Sequence, residues 1–274
     1  MSRDDSRTPE HLPLPTPLPR DFLGGQLARG RVLVCLDFDG TLSELTKDPW
    51  KAVFLPRAKE SIATLARFPD KLAIAIVSGR DLDTLLKLLG LREGLLFAGT
   101  HGLELIGHDG VRRFTPGVER CLDDIELLRE FVARSIPRDQ GFIIEDKRLA
   151  LTLNYRNADP NDAATALRAF DEFVAQRPTL QVLNGKMIHE AIPRGFGGKG
   201  EAVEFFIRDT SIEGARTAYF GDDTTDEDAF RALVAHRGTG VLVGNSRPSF
   251  AQFCVGGPSE VADVLEDLLS AISV

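Results

Sequence analysis

Asp37 and Asp39 flank a phenylalanine at the end of an apolar run, Arg31-Val32-Leu33-Val34-Cys35-Leu36. Two carboxylates there are costly unless chemistry needs them. Successive side chains of an extended strand alternate in direction, so two acids two residues apart share a face and can act on one substrate. Like charges held close push one pKa upward, which leaves one carboxylate able to attack and one able to carry a proton, unless a bound cation absorbs the repulsion. Both outcomes serve phosphoryl transfer. Asp37 is expected as the nucleophile, dividing hydrolysis into formation and breakdown of an aspartyl phosphate. Asp39 is expected to protonate the leaving oxygen and then to activate water.

Two more apolar stretches end in polar clusters: Val77 before Ser78-Gly79-Arg80, and Phe220 before Gly221-Asp222-Asp223. In an open parallel sheet, ligands sit beyond the carboxyl ends of the strands, so these clusters should converge on one crevice. Lys199 opens a predicted helix, whose N-terminus also favours an anion. Asp222 supplies a hard oxygen that, with Asp37 and the main chain near Asp39, suits Mg²⁺. Asp223 is expected beside it as a further ligand or as a helix cap. The expected metal set is therefore Asp37, Asp39, Asp222 and Asp223. Thr41 and Ser78 offer hydroxyls to the phosphate, together with Gly79, Arg80 and Lys199. Lys199 would offset charge on the transferring oxygens, which makes Asp37, Asp39, Ser78 and Lys199 the expected catalytic residues.

The elements that must position these groups follow from periodicity. Strands 32–36, 72–77 and 95–98 alternate with helices 58–67 and 81–89, the latter carrying Leu82, Leu85, Leu86 and Leu89 on one stripe and stopping at Gly90. Such βαβα order predicts a parallel sheet. The middle of the chain changes character, with a helix at 119–134, strands at 142–145 and 149–155, and a helix at 161–176. A hairpin, 180–183 and 187–192, is predicted to turn at Asn184-Gly185. The alternating pattern then resumes with helix 199–208, strand 217–220, helix 225–234, strand 240–243 and helix 259–272. The fold class is α/β: a Rossmann-like parallel-sheet core, 26–116 and 194–274, with an inserted α+β unit at 117–193. The leader, 1–25, is rich in Pro and charge (Pro13, Pro15, Pro17, Pro19) and is expected to be disordered and dispensable.

Composition narrows the function classes. The 274 residues are 43% hydrophobic and 27% charged, which suits a soluble globular protein. A net charge of -8 argues against a nucleic-acid or anionic-membrane partner, since those need a basic surface. Cys35, Cys121 and Cys254 are scattered, with no metal or disulfide spacing, so a reducing cytoplasm is expected. No signal-peptide or membrane-spanning segment is legible. A calcium loop at Asp37 fails because Thr41 and Leu42 stand where ligand and glycine are wanted. A nucleotide P-loop at Gly198-Lys199-Gly200 fails because Pro193 and Gly200 replace its first glycine and its hydroxyl residue. Asp226, Glu227 and Asp228 fit the positive end of a helix, in capping-box spacing as Thr224 with Glu227 or Thr225 with Asp228.

Asp37-x-Asp39, Ser78, Lys199 and Gly221-Asp222-Asp223 match in order and spacing the four motifs of the haloacid-dehalogenase superfamily of phosphatases. Further segments resemble its trehalose-6-phosphate phosphatase branch: Gly99-Thr100-His101-Gly102-Leu103-Glu104, Glu145-Asp146-Lys147, Tyr155-Arg156, Gly185-Lys186-Met187 with Glu190, and Asp222 through Glu227. The resemblance spans roughly residues 31–270. It implies a C2-type cap at 117–193, and a sugar held by Glu145, Lys147, Arg156, Lys186 and Glu190. It also implies Mg²⁺-dependent hydrolysis of trehalose 6-phosphate to trehalose and phosphate. The sequence departs from the branch at Asn154, where a His often precedes Tyr-Arg, and in the glycine-rich Gly195-Phe196-Gly197-Gly198. Rival readings are a phosphatase for sucrose or glucosylglycerol phosphate, a phosphomannomutase-like transferase, or a non-catalytic phosphosugar-binding module. Retention of Asp37, Asp39, Lys199 and Asp222 speaks against the last.

Overall fold

The computed structural model describes residues 12–46, 51–185 and 187–272. In chain order the elements are β1 (Thr16–Pro17), α1 (Phe22–Leu27), β2 (Val32–Asp37), α2 (Pro56–Leu65), β3 (Leu72–Val77), α3 (Leu82–Leu89), β4 (Leu95–Gly99), β5 (Glu104–Ile106) and β6 (Arg112–Phe114). Then come α4 (Leu122–Ser135), β7 (Ile143–Asp146), β8 (Leu151–Asn154), α5 (Pro160–Ala175), β9 (Leu180–Gly185) and β10 (Ile188–Pro193). The chain finishes with α6 (Lys199–Thr210), β11 (Thr217–Gly221), α7 (Glu227–Ala235), β12 (Thr239–Val243), β13 (Phe253–Val255) and α8 (Pro258–Ile272). Two compact units result: a core unit, up to Arg113 and from Gly198 onward, and an inserted unit, Phe114–Gly197.

The core unit carries a nine-stranded sheet, ordered β1-β13-β12-β11-β2-β3-β4-β5-β6. The pairs from β1 to β4 are parallel and β5 runs antiparallel to β4. Both faces are covered, which is why β2 and β3 read as unbroken apolar runs. Val32, Val34 and Leu36 pack with Leu65 of α2, Leu85 of α3 and Leu265 of α8. Leu33 and Cys35 face the other way, with Phe206 of α6 and Phe230 of α7. Asp37 is next in that alternation, so the strand itself aims it toward α6 and α7. Asp81 caps α3 by accepting from the Thr84 N–H at 2.9 Å, and Gly90 closes the helix in the left-handed conformation. No described helix is long and apolar enough to cross a membrane.

In the inserted unit, a four-stranded antiparallel sheet, β7-β8-β10-β9, packs on two helices. Ile125, Leu128 and Val132 of α4 and Phe170 of α5 meet Leu151, Leu153, Leu180 and Ala191 from one face of the sheet. Its other face carries the polar alternates: Glu145, Thr152 and Glu190 are direct cross-strand partners.

Two expectations are corrected. The leader is ordered from Leu12: Leu12 and Leu23 are buried, β1 pairs with β13, and Phe22 packs its ring 5.4 Å from that of Phe253. The signal was present in the alternation of Pro13, Pro15, Pro17 and Pro19. Pro17 leaves the outward side without a donor between Thr16 and Leu18, whose N–H groups donate inward to Gln252 and Cys254 at 3.1 and 3.0 Å. A strand with donors on one side only is suited to an edge, and it cannot recruit another strand. Residues 1–11 lie outside the described residues. The hairpin also turns later than expected. Gly185 pairs with Ile188, so Asn184-Gly185 belong to β9, and this register sets Val182 opposite Ala191, which packs in the unit's core.

Candidate active site

Three strand ends and the start of α6 bring the expected groups together. Lys199 Nζ donates to Asp37 Oδ1 at 2.8 Å and to Asp226 Oδ1 at 2.7 Å, and all three side chains are buried. Tyr219 of β11, fully buried, donates its hydroxyl to Asp226 Oδ1 at 2.6 Å, and the Asp223 N–H donates to Asp226 Oδ2 at 2.9 Å. Asp226 is thus saturated by protein donors. Asp222 Oδ1 is buried and has no hydrogen-bond partner. Oxygens of Asp37, Asp222 and Asp226 lie within 4.8 Å of one another.

The electrostatics follow from burial. Asp37 is raised well above its ordinary range by loss of solvent and by the Asp226 and Asp222 charges, against the pull of Lys199. Asp222 is pushed up to about 7, by desolvation first and then by Asp226, with Lys199 opposing. Burial alone would lower Lys199, but Asp226 and Asp37 together outweigh it and hold the ammonium charged. Three carboxylates against one ammonium leave an excess of two negative charges in a desolvated site. With an unpartnered buried oxygen on Asp222 and hard donors throughout, the residues fit a divalent cation. Asp37 and Asp222 are the side chains to hold it, since Asp226 already takes three donors.

The backbone permits this approach at two places. Gly40 has φ +83, and a Cβ there would stand 2.2 Å from Asp222 Oδ2. Gly198 has φ +117, and a Cβ there would meet Asp228 Oδ2 at 2.5 Å, the same oxygen that accepts the Gly200 N–H at 2.9 Å. Asp228 thereby ties the start of α6, and with it Lys199, to α7. The loop after β4 supports the same helix: His101 accepts from the Gly198 N–H through its carbonyl. Thr100 and His101 both adopt positive φ, 48° and 54°, unusual outside glycine. Thr100 Oγ1 donates to buried Glu104 at 3.2 Å, and Arg112 pairs with Glu104. Strain in this loop is held by that pairing.

The remaining expected core residues divide. Thr41 is fully buried with an unpartnered hydroxyl, as a donor awaiting an anion would be. Ser78 is buried and its Oγ accepts from the Arg80 N–H at 3.2 Å, while Gly79 lies against the His101 ring. Arg80 forks onto Asp39, with both nitrogen–oxygen distances 2.6 Å, and sits over the Phe38 ring. The planar guanidinium matches a carboxylate bidentately, so Asp39 is drawn to Arg80 and its carboxylate is not in the acidic cluster. Nor is that of Asp223, which caps the next turn by accepting from the Thr224 N–H at 2.7 Å. The capping box is Asp223 with Asp226, one residue before Thr224 with Glu227 and two before Thr225 with Asp228, the expected pairs. Asp226 and Tyr219 were not foreseen as site residues. The signal for Tyr219 was a phenol three residues before Asp222, on a strand buried on both faces.

In the inserted unit, Lys147 Nζ donates to buried Glu190 Oε1 at 2.8 Å. Glu145 and Arg156 are half-buried. Asn154 accepts the Arg156 N–H at 3.1 Å, an Asx turn that sets the exit of β8 toward Arg156. Lys186 lies outside the described residues.

The family model described as Trehalose-phosphatase matches residues 35–259. The chain belongs to the trehalose-phosphatase family. It is 30% identical over 267 residues to rice "Probable trehalose-phosphate phosphatase 9", covering 88% of this chain and 70% of that protein. An Aspergillus fumigatus trehalose-6-phosphate phosphatase structure superposes with a TM-score of 0.64 at 30% identity, covering 95% of this chain and all of the other. The C-terminal domain of a C. albicans trehalose-6-phosphate phosphatase reaches 0.77 at 24% identity over 95% of this chain and 99% of that one, which establishes a shared fold. The α/β reading and the resemblance drawn from the motifs are borne out, and this family member is a phosphoric monoester hydrolase.

Proposed function

We propose that the enzyme hydrolyses trehalose 6-phosphate to trehalose and phosphate in two steps, with Asp37 as the nucleophile and Mg²⁺ as the cation. The observation that carries this reading is the buried Asp37–Lys199–Asp226 cluster with the unpartnered oxygen of Asp222 beside it. Asp37 attacks phosphorus, and the bond from phosphorus to the sugar oxygen breaks. Asp39 protonates that oxygen and then removes a proton from the water that releases phosphate. For this, Asp39 exchanges its Arg80 fork for the substrate, which leaves Arg80 able to pair with phosphate oxygens. Lys199, Thr41 and Ser78 stabilise the oxygens of the transferring group, where positioned charge does most of the catalysis. Mg²⁺ held by Asp37 and Asp222 would neutralise the meeting of two anions.

Specificity is assigned to the inserted unit acting as a cap. Its polar face offers Glu145, Lys147, Arg156 and Glu190 to sugar hydroxyls, the family resemblance adds Lys186 to that set, and closure would exclude water from the transfer. The free cysteines support a reducing, cytoplasmic setting. Phosphate release from a panel of trehalose 6-phosphate, sucrose 6-phosphate, glucosylglycerol phosphate and hexose phosphates tests the assignment. Trehalose 6-phosphate is expected to lead in kcat/KM by at least about tenfold, a margin that one lost hydroxyl contact in a polar site readily supplies. A faster competitor would overturn it.

A further inference from the structure

Among the described residues, four buried side-chain atoms have no hydrogen-bond partner: Thr41 Oγ1, Asp222 Oδ1, Arg177 Nε and Thr152 Oγ1. The first two belong to the phosphoryl site. Arg177 is accounted for by its guanidinium, 3.4 Å above the Phe173 ring centroid. Thr152 is left, and nothing in its own unit explains it. Other buried hydroxyls are paired: Ser43 with the Phe38 carbonyl, Thr210 with the Phe206 carbonyl and Ser249 with Glu227. An orphaned buried hydroxyl costs stability that a valine of the same shape would not.

Position gives the hydroxyl a direction. Leu151 and Leu153, its neighbours on β8, point into the apolar core of the inserted unit, so Thr152 points to the opposite face. There it stands directly between Glu145 on β7 and Glu190 on β10, its cross-strand partners, and the ammonium of Lys147 lies on Glu190. This is a row of acceptor, hydroxyl and acceptor with the Lys147 ammonium beside it. A threonine hydroxyl can donate and accept at once, and a sugar hydroxyl requires both from its partners.

We propose that Thr152 is a specificity-determining residue whose hydroxyl bonds a hydroxyl group of the sugar between the Glu145 and Glu190 contacts. The assignment rests on the reading of this face as the sugar site. A substrate without a sugar leaves the Thr152 hydroxyl unsatisfied, whereas the sugar completes it, so discrimination arises from a bond that only the sugar can make.

The test compares Thr152→Val and Thr152→Ser with Glu190→Gln in the full chain, with kcat/KM measured on trehalose 6-phosphate and on p-nitrophenyl phosphate. The ratio of the two constants is expected to fall about tenfold in Thr152→Val, equivalent to about 1.4 kcal/mol. It should stay within about threefold of the parent in Thr152→Ser, which keeps the hydroxyl. Without ligand, Thr152→Val should melt about 2 °C higher, because the orphaned group is gone. A ratio unchanged in Thr152→Val but reduced in Glu190→Gln overturns the role of Thr152 and leaves the sugar site standing. Ratios unchanged in both variants overturn the sugar site itself. A lower melting temperature with a loss shared by both substrates would show that Thr152 serves packing, and would also overturn the proposal.

Discussion

Lys199 in the core unit is gripped by two carboxylates, Asp37 and Asp226, and its side chain is only 5% exposed. In the inserted unit Lys147 donates to Glu190, and its side chain is 11% exposed. The core cluster adds Asp222 and so carries more negative charge than its single ammonium can balance, while Lys147 and Glu190 set one charge against one. An unbalanced buried cluster calls for a dication and a reaction in which charge moves. A balanced pair beside a neutral hydroxyl suits an uncharged polyol. The same residue types therefore serve different ends, and the difference lies in how completely each group is already satisfied.

If the two regions divide the work in this way, damage to each should read out differently. Asp37→Asn removes the nucleophile without changing side-chain shape, and kcat should fall roughly ten-thousandfold on every substrate. A loss confined to trehalose 6-phosphate would erase the division. Glu190→Gln should cut kcat/KM on trehalose 6-phosphate about a hundredfold and on p-nitrophenyl phosphate less than about threefold, because only the former has a second sugar to hold. Equal losses on both, with the fold intact, would return the inserted unit to a merely structural role.

The charge excess in the core sharpens the comparison through pH. Asp222 is raised from an ordinary 3.8 to about 7, so the folded protein keeps a proton that the unfolded chain releases. In chelator, the Asp222 contribution to stability should therefore fall as pH rises from about 4 to about 7. If Mg²⁺ is held by the deprotonated carboxylates, the gap in melting temperature between Mg²⁺ and EDTA samples should widen over the same window. A gap independent of pH would remove Asp222 from the metal site.

Leu23→Ala gives the smallest effect on activity. Leu23 of α1 is buried in the core cluster beside α8, remote from both polar regions in sequence and chemistry. About 3 kcal/mol of stability should be lost in a denaturant titration, with kcat/KM on trehalose 6-phosphate unchanged. A fully stable variant would restore the view of this segment as a dispensable leader.

These outcomes also mark what the sequence made legible. The motif residues Asp37, Ser78, Lys199 and Asp222 were readable because strand alternation and strand ends are local properties, and the helix at Leu82–Leu89 announced itself by its apolar stripe. The capping role read for Asp226 holds, but its ion pair with Lys199 was missed, because capping and ion pairing use the same residue type. The choice depends on where the ammonium of Lys199, 27 positions away, comes to rest. Arg80 was expected at phosphate, but its fork onto Asp39 is a contact across two strand ends that no spacing encodes. The edge strand at Thr16–Pro17 escaped because proline content was weighed as composition and not as alternation.

The central claim is that phosphorus is transferred to Asp37, and it can be tested by trapping the product of that step. Enzyme mixed with Mg²⁺ and trehalose 6-phosphate labelled with ³²P, quenched in acid within one turnover and digested, should carry label on the peptide containing Asp37, and Asp37→Asn should carry none. Turnover with no labelled protein, or label that persists in Asp37→Asn, would contradict the account.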